Sequence, residues 1–202
     1  MNFLAHIYLS GNNELVTLGN FMADGIRGKK YKNFVTDIQI GILLHREIDS
    51  FTDMHPTVRK STKRLHAKYS HYSTVIVDIL YDHFLAKNWS TYSDIPLKNY
   101  VENFYATLKA HVDILPPRIQ KMMPFMIAEN WLLNYAHLDG IQRVLDGMNR
   151  RTKYPSQMNE ATIELRTYYS EFEAEFTEFF EELMQFSNDK LLEITLKLNA
   201  HR

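Results

Sequence analysis

The sequence predicts an all-α protein, a single-domain helical bundle that spans residues 1–202. Only seven glycines and six prolines interrupt the 202 residues, so long stretches are free of helix-breaking residues. Within those stretches apolar residues recur at the three- and four-residue spacing of one helix face. Hydrophobic residues make up 45% of the chain and charged residues 23%, as in an ordinary globular domain. A chain of this length can bury a core without disulfides.

The helices are predicted in chain order from these periodic stretches and from the residues that punctuate them. The first covers 14–26 and is closed by Gly28, and the second covers 34–53 and ends ahead of Pro56. The stretch 73–89 is apolar on nearly every side, so we expect it at the centre of the bundle. The other predicted helices are 56–69, 96–115, 117–135 with a break near Pro124, 138–149 and 156–186.

The last predicted helix carries an aromatic stripe. It follows a linker at 150–155, and the prediction leaves open where the tail at 188–202 ends. Stripes at helical spacing usually pack into a core, so we expect the stripe to contact the bundle rather than a cofactor. Its members are Ile163, Tyr168, Phe172, Phe176, Phe179, Phe180 and Leu183.

The composition excludes several classes of site. The chain has no cysteine, so disulfides, thiolate metal clusters and cysteine nucleophiles are ruled out, and any metal must use His, Asp or Glu. Residues 1–9 lead directly into a polar segment, unlike a secretory signal. No apolar run approaches the roughly 18 residues that a membrane span requires. We therefore expect a soluble, cytoplasmic protein.

Three of the predicted helices carry polar residues four positions apart, which places each set on one helix face. A buried carboxylate costs several kcal/mol, so a shared bound cation would explain why three helices present them. A network of helical ion pairs is the alternative explanation. The three sets are Asn20 with Asp24; His45 with Asp49 and Asp53; and Asp78 with Asp82, next to His83.

Oxygen and imidazole ligands suit Mn²⁺, Mg²⁺, Fe²⁺ or Zn²⁺. Such a cation activates water and screens phosphoryl oxygens, so hydrolysis of a phosphoester is the chemistry we expect. Arg46 and Arg27 would hold phosphate oxygens, and Asn20 is a further candidate for binding substrate. The spacing of His6 is ambiguous, and six other histidines are interpreted as surface or structural residues: His55, His66, His71, His111, His137 and His201. The candidate metal ligands are Asp24, His45, Asp49, Asp78, Asp82 and His83, and the candidate catalytic residues are Asp24, His45, Arg46, Asp49 and Asp82.

Six ordered motifs make the chain recognisable, and they extend from residue 2 to residue 148. Together they resemble the acyl carrier protein phosphodiesterase family, also called acyl carrier protein hydrolase. The motifs are Asn2-Phe3-Leu4-Ala5-His6, Gly19-Asn20-x-x-x-Asp24, His45-Arg46-x-Ile48-Asp49-x-x-Thr52-Asp53, Asp78-x-x-Tyr81-Asp82-His83-Phe84-Leu85, Trp131-Leu132-x-x-Tyr135 and Gly140-Ile141-x-x-Val144-Leu145-x-x-Met148.

The resemblance implies a specific reaction. A phosphodiester would be hydrolysed to release 4′-phosphopantetheine from holo-acyl carrier protein, with Mn²⁺ as the implied metal. It also implies an all-α fold distantly related to the HD-type phosphohydrolases. The chain departs from the HD signature, since its adjacent pair is Asp82-His83 and His45 is followed by Arg46. Ligand positions are therefore not transferred from other HD enzymes.

The charge distribution agrees with an acidic protein partner. The net charge is −1, but basic residues cluster at 27–32 and 56–68, whereas 160–189 carries nine acidic residues against one arginine. Acyl carrier proteins are acidic, so these clusters would steer docking. A merely solvated basic face is the alternative; nucleic acid is disfavoured by the net charge and by the lack of a binding motif. The docking candidates are Lys29, Lys30, Arg59, Lys60, Lys63 and Arg64.

Two other functions remain open at this point. The first is an HD-like, metal-dependent phosphohydrolase of nucleotides or other small phosphodiesters, which would need no carrier. The second is a non-catalytic helical module that binds acidic proteins through the basic segment 56–69, which would need no metal. The sequence leaves the oligomeric state open.

Overall fold

The computed structural model describes residues 1–200, and it confirms the all-α prediction. No β-strand occurs in this range, and five short 3₁₀ turns link some of the helices. His201 lies outside the described residues. The helices are α1 Phe3–Tyr8, α2 Glu14–Met22, α3 Thr36–Met54, α4 Pro56–Tyr69, α5 Ser73–Lys87, α6 Trp89–Tyr92, α7 Leu97–Ala110, α8 Pro117–Ala128, α9 Trp131–Asn134, α10 Leu138–Asn149, α11 Ala161–Thr167 and α12 Tyr169–Asn199.

Several predicted elements are confirmed. The bounds of α4 and α10 are those that the sequence predicts. Helix α5 lies in the core, where most of its side chains are buried, although it ends two residues earlier than predicted. Helices α3 and α7 lie within a few residues of their predicted bounds. Helix α1 was not predicted, since six residues are too few to establish a helical period.

The first long helix is shorter than predicted. Helix α2 ends at Met22, and Ala23–Gly25 form a 3₁₀ turn. Asp24 therefore lies on a turn rather than on the helix that carries Asn20. A Cβ atom at Gly25 would lie 2.9 Å from the Pro116 ring, so the chain needs glycine where this turn meets the α7–α8 connection.

Two other boundaries were wrong. Pro124 lies inside α8, and the chain breaks instead at Asn130, whose φ of 47° is left-handed. The predicted helix at 156–186 is two helices, α11 and α12, separated at Tyr168, and α12 continues to Asn199. Because of this break, Ile163 and Tyr168 are exposed, whereas the rest of the aromatic stripe, from Phe172 to Leu183, is buried as predicted.

Two glycines bring α2 and α3 unusually close together. A Cβ atom at Gly41 would lie 2.0 Å from the Val16 carbonyl oxygen, and one at Gly19 would lie 2.3 Å from the Ile38 carbonyl oxygen. No other residue type allows this approach of the two backbones. Asn20 follows Gly19 directly, so the same contact places its side chain against α3.

None of the helices in residues 1–200 is both long and apolar enough to span a membrane.

Candidate metal centre

Side chains from two helices form a compact cluster of possible metal ligands. His6 lies on α1, and His45 and Asp49 lie one turn apart on α3. The Nε2 atoms of His6 and His45 are 3.2 Å and 3.0 Å from the two carboxylate oxygens of Asp49. The two imidazole rings stack with centroids 4.1 Å apart. One ligand atom from each residue lies within 4.8 Å of the others, so the three could bind one cation.

The buried amide of Asn20 fixes both histidines. Its Oδ1 atom accepts from Nδ1 of His6 at 2.9 Å and from Nδ1 of His45 at 3.2 Å. Its Nδ2 atom donates to the His6 carbonyl and to Ser10 Oγ, which orients the amide. An amide oxygen only accepts hydrogen bonds, so each Nδ1 carries its hydrogen. Both Nε2 atoms are consequently turned toward the carboxylates.

Asp24 completes the cluster at its solvent side. Its Oδ1 atom lies 3.3 Å from His45 Nε2, and its side chain is 63% exposed. The hydrogen bond with His45 lowers the pKa of this carboxyl group. Asp24 is therefore an ionised, accessible carboxylate beside the two imidazoles.

The two histidines differ in charge. Burial and the neighbouring His45 lower the pKa of His6 to about 4, whereas hydrogen bonds to Asp24 and Asp49 outweigh burial and raise the pKa of His45 to about 9. At neutral pH the lone pair on Nε2 of His6 faces a carboxylate oxygen of Asp49, with no hydrogen between the two acceptors. A cation between them would satisfy both, so these residues fit a bound metal.

The cluster forms one wall of a cavity of about 210 Å³. Four aspartates line this cavity, and no lysine or arginine of residues 1–200 does. The cationic groups at this cavity are the Met1 amine and protonated His45, and the carboxylates outnumber them, so the cavity is acidic before a cation binds. The aspartates are Asp24, Asp49, Asp53 and Asp78.

The two carboxylates of α5 are placed differently from each other. Asp78 borders the cavity and accepts from the Met1 amine at 2.9 Å. Asp82 is fully buried, and its oxygens accept from the backbone amides of Leu4 and Ala5 at 2.7 Å and 3.2 Å. Burial raises the pKa of Asp82 to about 7, against the effect of these amides. Asp82 therefore caps the first turn of α1 and supports the helix that carries His6, without joining the cluster.

His83 also lies away from the cluster. Its Nδ1 atom contacts the Tyr135 carbonyl oxygen at 2.8 Å, and its Nε2 atom contacts the Tyr169 hydroxyl at 2.9 Å. Both nitrogens are thus engaged within the core. Both nitrogens of the buried His55 are engaged as well, because Nε2 contacts Glu182 and Nδ1 caps α4 by accepting from the Thr57 amide.

Neither of the two candidate phosphate-binding arginines lines the cluster cavity. Arg46 donates to the carbonyl oxygens of Ile26 and Gly28 at 3.1 Å and 2.9 Å, and it lies over the Tyr31 ring. It therefore fixes the loop that follows Asp24. Arg27 is exposed on that same loop.

The basic residues of α4 divide into two groups. Arg64 makes a two-pronged contact with the buried Glu175 of α12, and Lys60 lies 3.2 Å from the same carboxylate. Arg59 and Lys63 instead line an open cavity of about 540 Å³ that shares Asp53 with the cluster cavity. A carboxylate of the acidic segment 160–189 thus neutralises part of the basic charge of α4. Lys29 and Lys30 are exposed on the loop after Asp24.

Sequence reasoning from spacing missed His6, because the residues four positions away are Asn2 and Ser10, and neither is a carboxylate or a histidine. Its only signal was its place at the end of the motif at residues 2–6. Asn20 was expected to bind substrate, but it bonds the imidazoles instead.

Comparisons with known proteins agree with one another. The profile of the acyl carrier protein phosphodiesterase family matches residues 1–183. A protein of that name from Photorhabdus laumondii is 33% identical over 194 residues, which cover 94% of this chain and 96% of the relative. Proteins of the same name from Enterobacter sp. and Escherichia coli O139:H28 are 31% and 32% identical over 193 residues, which cover 95% of this chain and 100% of each relative.

No solved structure matches the chain, so the distant relation to HD-type phosphohydrolases stays a prediction. The family profile covers most of the chain, and the relatives match over nearly their full lengths. The chain therefore belongs to the acyl carrier protein phosphodiesterase family.

Proposed function

We propose that this protein is a metal-dependent phosphodiesterase that hydrolyses holo-acyl carrier protein to apo-carrier and 4′-phosphopantetheine. The observation that carries the metal-dependent part is the pair of imidazole Nε2 atoms directed at Asp49 in an acidic cavity. Family membership supports the substrate and the bond that is broken.

The metal would be held by His6, His45 and Asp49, with Asp24 at the solvent side. The set combines imidazole with carboxylate oxygen, which suits Mn²⁺ and also Mg²⁺ or Fe²⁺. When bound, such a cation screens phosphoryl oxygens and activates water for attack. Asp82 and His83 are left out of this ligand set because their polar atoms are engaged by the core.

The charge of the cavity explains why a cation is needed. A phosphodiester is an anion, and four aspartates around the cavity would repel it. The Met1 amine and protonated His45 offset only part of this charge, and no lysine or arginine is among the described lining residues. A bound divalent cation would offset more of it and give the substrate a positive centre to bind.

Residues of the chain would orient the metal ligands and accept a proton from the attacking water. Asn20 holds both imidazoles in the tautomer that presents Nε2 to the cavity. Asp24 is exposed and its pKa is lowered, so its Oδ1 atom is available at neutral pH to accept a proton from an attacking water. Arg46 would keep Asp24 in place through the loop carbonyls.

The carrier would dock on the basic residues that remain unneutralised near the cavity. Arg59 and Lys63 lie beside Asp53 on one side, and Lys29 and Lys30 follow Asp24 on the other. An acidic carrier would be steered to this rim. Acyl carrier protein as substrate also fits a cytoplasmic location, which we propose for this protein.

Mass spectrometry of the carrier tests the proposed function. Purified protein is incubated with holo-carrier and Mn²⁺, and a parallel sample contains excess chelator. We expect loss of the arm's mass from the carrier and appearance of free 4′-phosphopantetheine, and we expect the chelator to abolish both. Unchanged holo-carrier in the presence of folded, metal-loaded protein would contradict it.

A further inference from the structure

A second cavity opens directly from the cluster cavity. Its volume is about 270 Å³, and the two cavities share lining residues, among them Asn2, Phe3 and Asp24. Away from the cluster its walls are mainly apolar and come from α5, α9 and α10. We call this part the side groove; it is defined by Val75, Ile79, Trp131, Val144 and Met148.

A few polar groups interrupt the apolar walls. The side chains of Asn2 and Arg118 border the same cavity and offer N–H donors. Arg118 is exposed and has no ion-pair partner within residues 1–200. The groove therefore suits a slender, uncharged ligand that carries some hydrogen-bond acceptors, rather than an ion or a bulky protein segment.

The groove continues beyond the second cavity. A third cavity of about 260 Å³ shares Trp131 and Val144 with the second, and it is bordered by Phe125 and Arg143. Each cavity shares lining residues with the next, so the three adjoin one another in a series that starts at the acidic cluster and becomes apolar away from it. A long, extended ligand fixed at the cluster would follow this path.

We propose that the side groove binds the pantetheine arm of the substrate, which rests on the function proposed above. The arm is an uncharged chain that carries two methyl groups on one carbon and two amides, which matches apolar walls with occasional donors. With the phosphodiester at the cluster, the carrier would lie toward Arg59 and Lys63, and the arm would extend into the second cavity, past Trp131 toward Phe125. The groove would thus bind the departing product.

Two substitutions that fill the groove from opposite walls test this proposal. Val144→Phe narrows it from α10 and Val75→Phe narrows it from α5; both residues are half-buried, and neither belongs to the cluster. The control is Ile163→Phe, at an exposed position on α11. Each variant is assayed with holo-carrier and with methyl 4-nitrophenyl phosphate, a diester that lacks the arm, and thermal unfolding confirms that it is folded.

The groove variants are expected to lose about 10- to 200-fold in kcat/KM for holo-carrier, the range over which a pocket discriminates by size. Their rates with the small diester, and both rates of the control, should match wild type. Val144→Phe and Val75→Phe enzymes that retain wild-type kcat/KM for holo-carrier would overturn the proposal and leave the proposed function intact. If wild type cleaves the small diester but not holo-carrier, the proposed function itself fails.

A binding measurement checks the groove without turnover. Pantetheine, which lacks the phosphate, is titrated into the protein while tryptophan fluorescence is followed; of the two tryptophans, Trp89 is buried and Trp131 lines the groove. A saturable change that disappears in Trp131→Phe and weakens in Val75→Phe supports the proposal. No change at millimolar pantetheine, or an equal change in Val75→Phe, would overturn it.

Discussion

Replacement of Asn20 by alanine would separate two effects of this residue, its effect on metal affinity through the orientation of the imidazoles and its effect on the stability of the fold. The amide makes four hydrogen bonds at a fully buried position, two of them to the Nδ1 atoms of His6 and His45. At about 1 kcal/mol for each net hydrogen bond, the free energy of unfolding should fall by up to about 4 kcal/mol. Without the shared acceptor both rings can rotate, so metal affinity should fall by about 10- to 100-fold.

Asn13→Ala is a matched control on the same helix. Asn13 caps α2 by accepting from the amides of Leu15 and Val16, and it lies outside the cluster. Its loss should cost about 1 kcal/mol of stability and leave metal affinity unchanged. Metal binding is measured by isothermal titration with Mn²⁺ and stability by urea unfolding of the metal-free proteins. If Asn20→Ala binds Mn²⁺ as tightly as Asn13→Ala, Asn20 does not orient the ligands.

Four further predictions concern charged groups in and around the cluster. The pKa of His45 is raised to about 9 in the metal-free protein, so the proton on His45 competes with the cation. The apparent Mn²⁺ affinity should therefore rise about tenfold per pH unit up to about pH 9 and then level off. An affinity that titrations show to be independent of pH would contradict this. For the same reason, the stability from protonated His45 should be complete below its unfolded pKa and lost as pH rises through about 9. Asp82→Asn should lower the free energy of unfolding by about 1–3 kcal/mol, because one backbone amide of α1 loses its acceptor. Its metal content, measured by elemental analysis, should stay at the wild-type level. Loss of metal from the folded variant would show that Asp82 is a ligand. Replacement of both Arg59 and Lys63 by Glu should lower kcat/KM for holo-carrier at low salt and leave kcat largely unchanged. As the control, replacement of both Lys98 and Lys109 on α7 by Glu should change neither constant. Equal kcat/KM values for the two double variants would show that the α4 face is only solvated.

Local signals made much of the fold predictable. Helix α4 begins with Pro56 at its first turn, and α10 shows a clear apolar face, so their bounds follow from residues near them in sequence. The four-residue spacing of His45 and Asp49 likewise predicted one side of the cluster. These features depend on contacts within a single helix.

The rest of the site depends on contacts that a helical period does not encode. Helix α5 is buried on nearly every side, so its period does not tell which neighbour Asp82 faces, and its carboxylate caps α1 instead. His6 meets α3 only when the short helix α1 packs there. Arg64 was predicted to face the carrier, but its partner Glu175 lies 111 residues away in sequence.

Metal content and turnover of His6→Ala test the central claim most directly. His6 supplies one of the two imidazole ligands that the proposed centre needs, and His71→Ala, at an exposed position between α4 and α5, is the matched control. Elemental analysis and arm release from holo-carrier are measured on the same Mn²⁺-loaded samples. We expect that His71→Ala keeps wild-type metal and turnover while folded His6→Ala loses both. Full metal content and turnover in His6→Ala would contradict the assignment of the cluster as the catalytic metal centre.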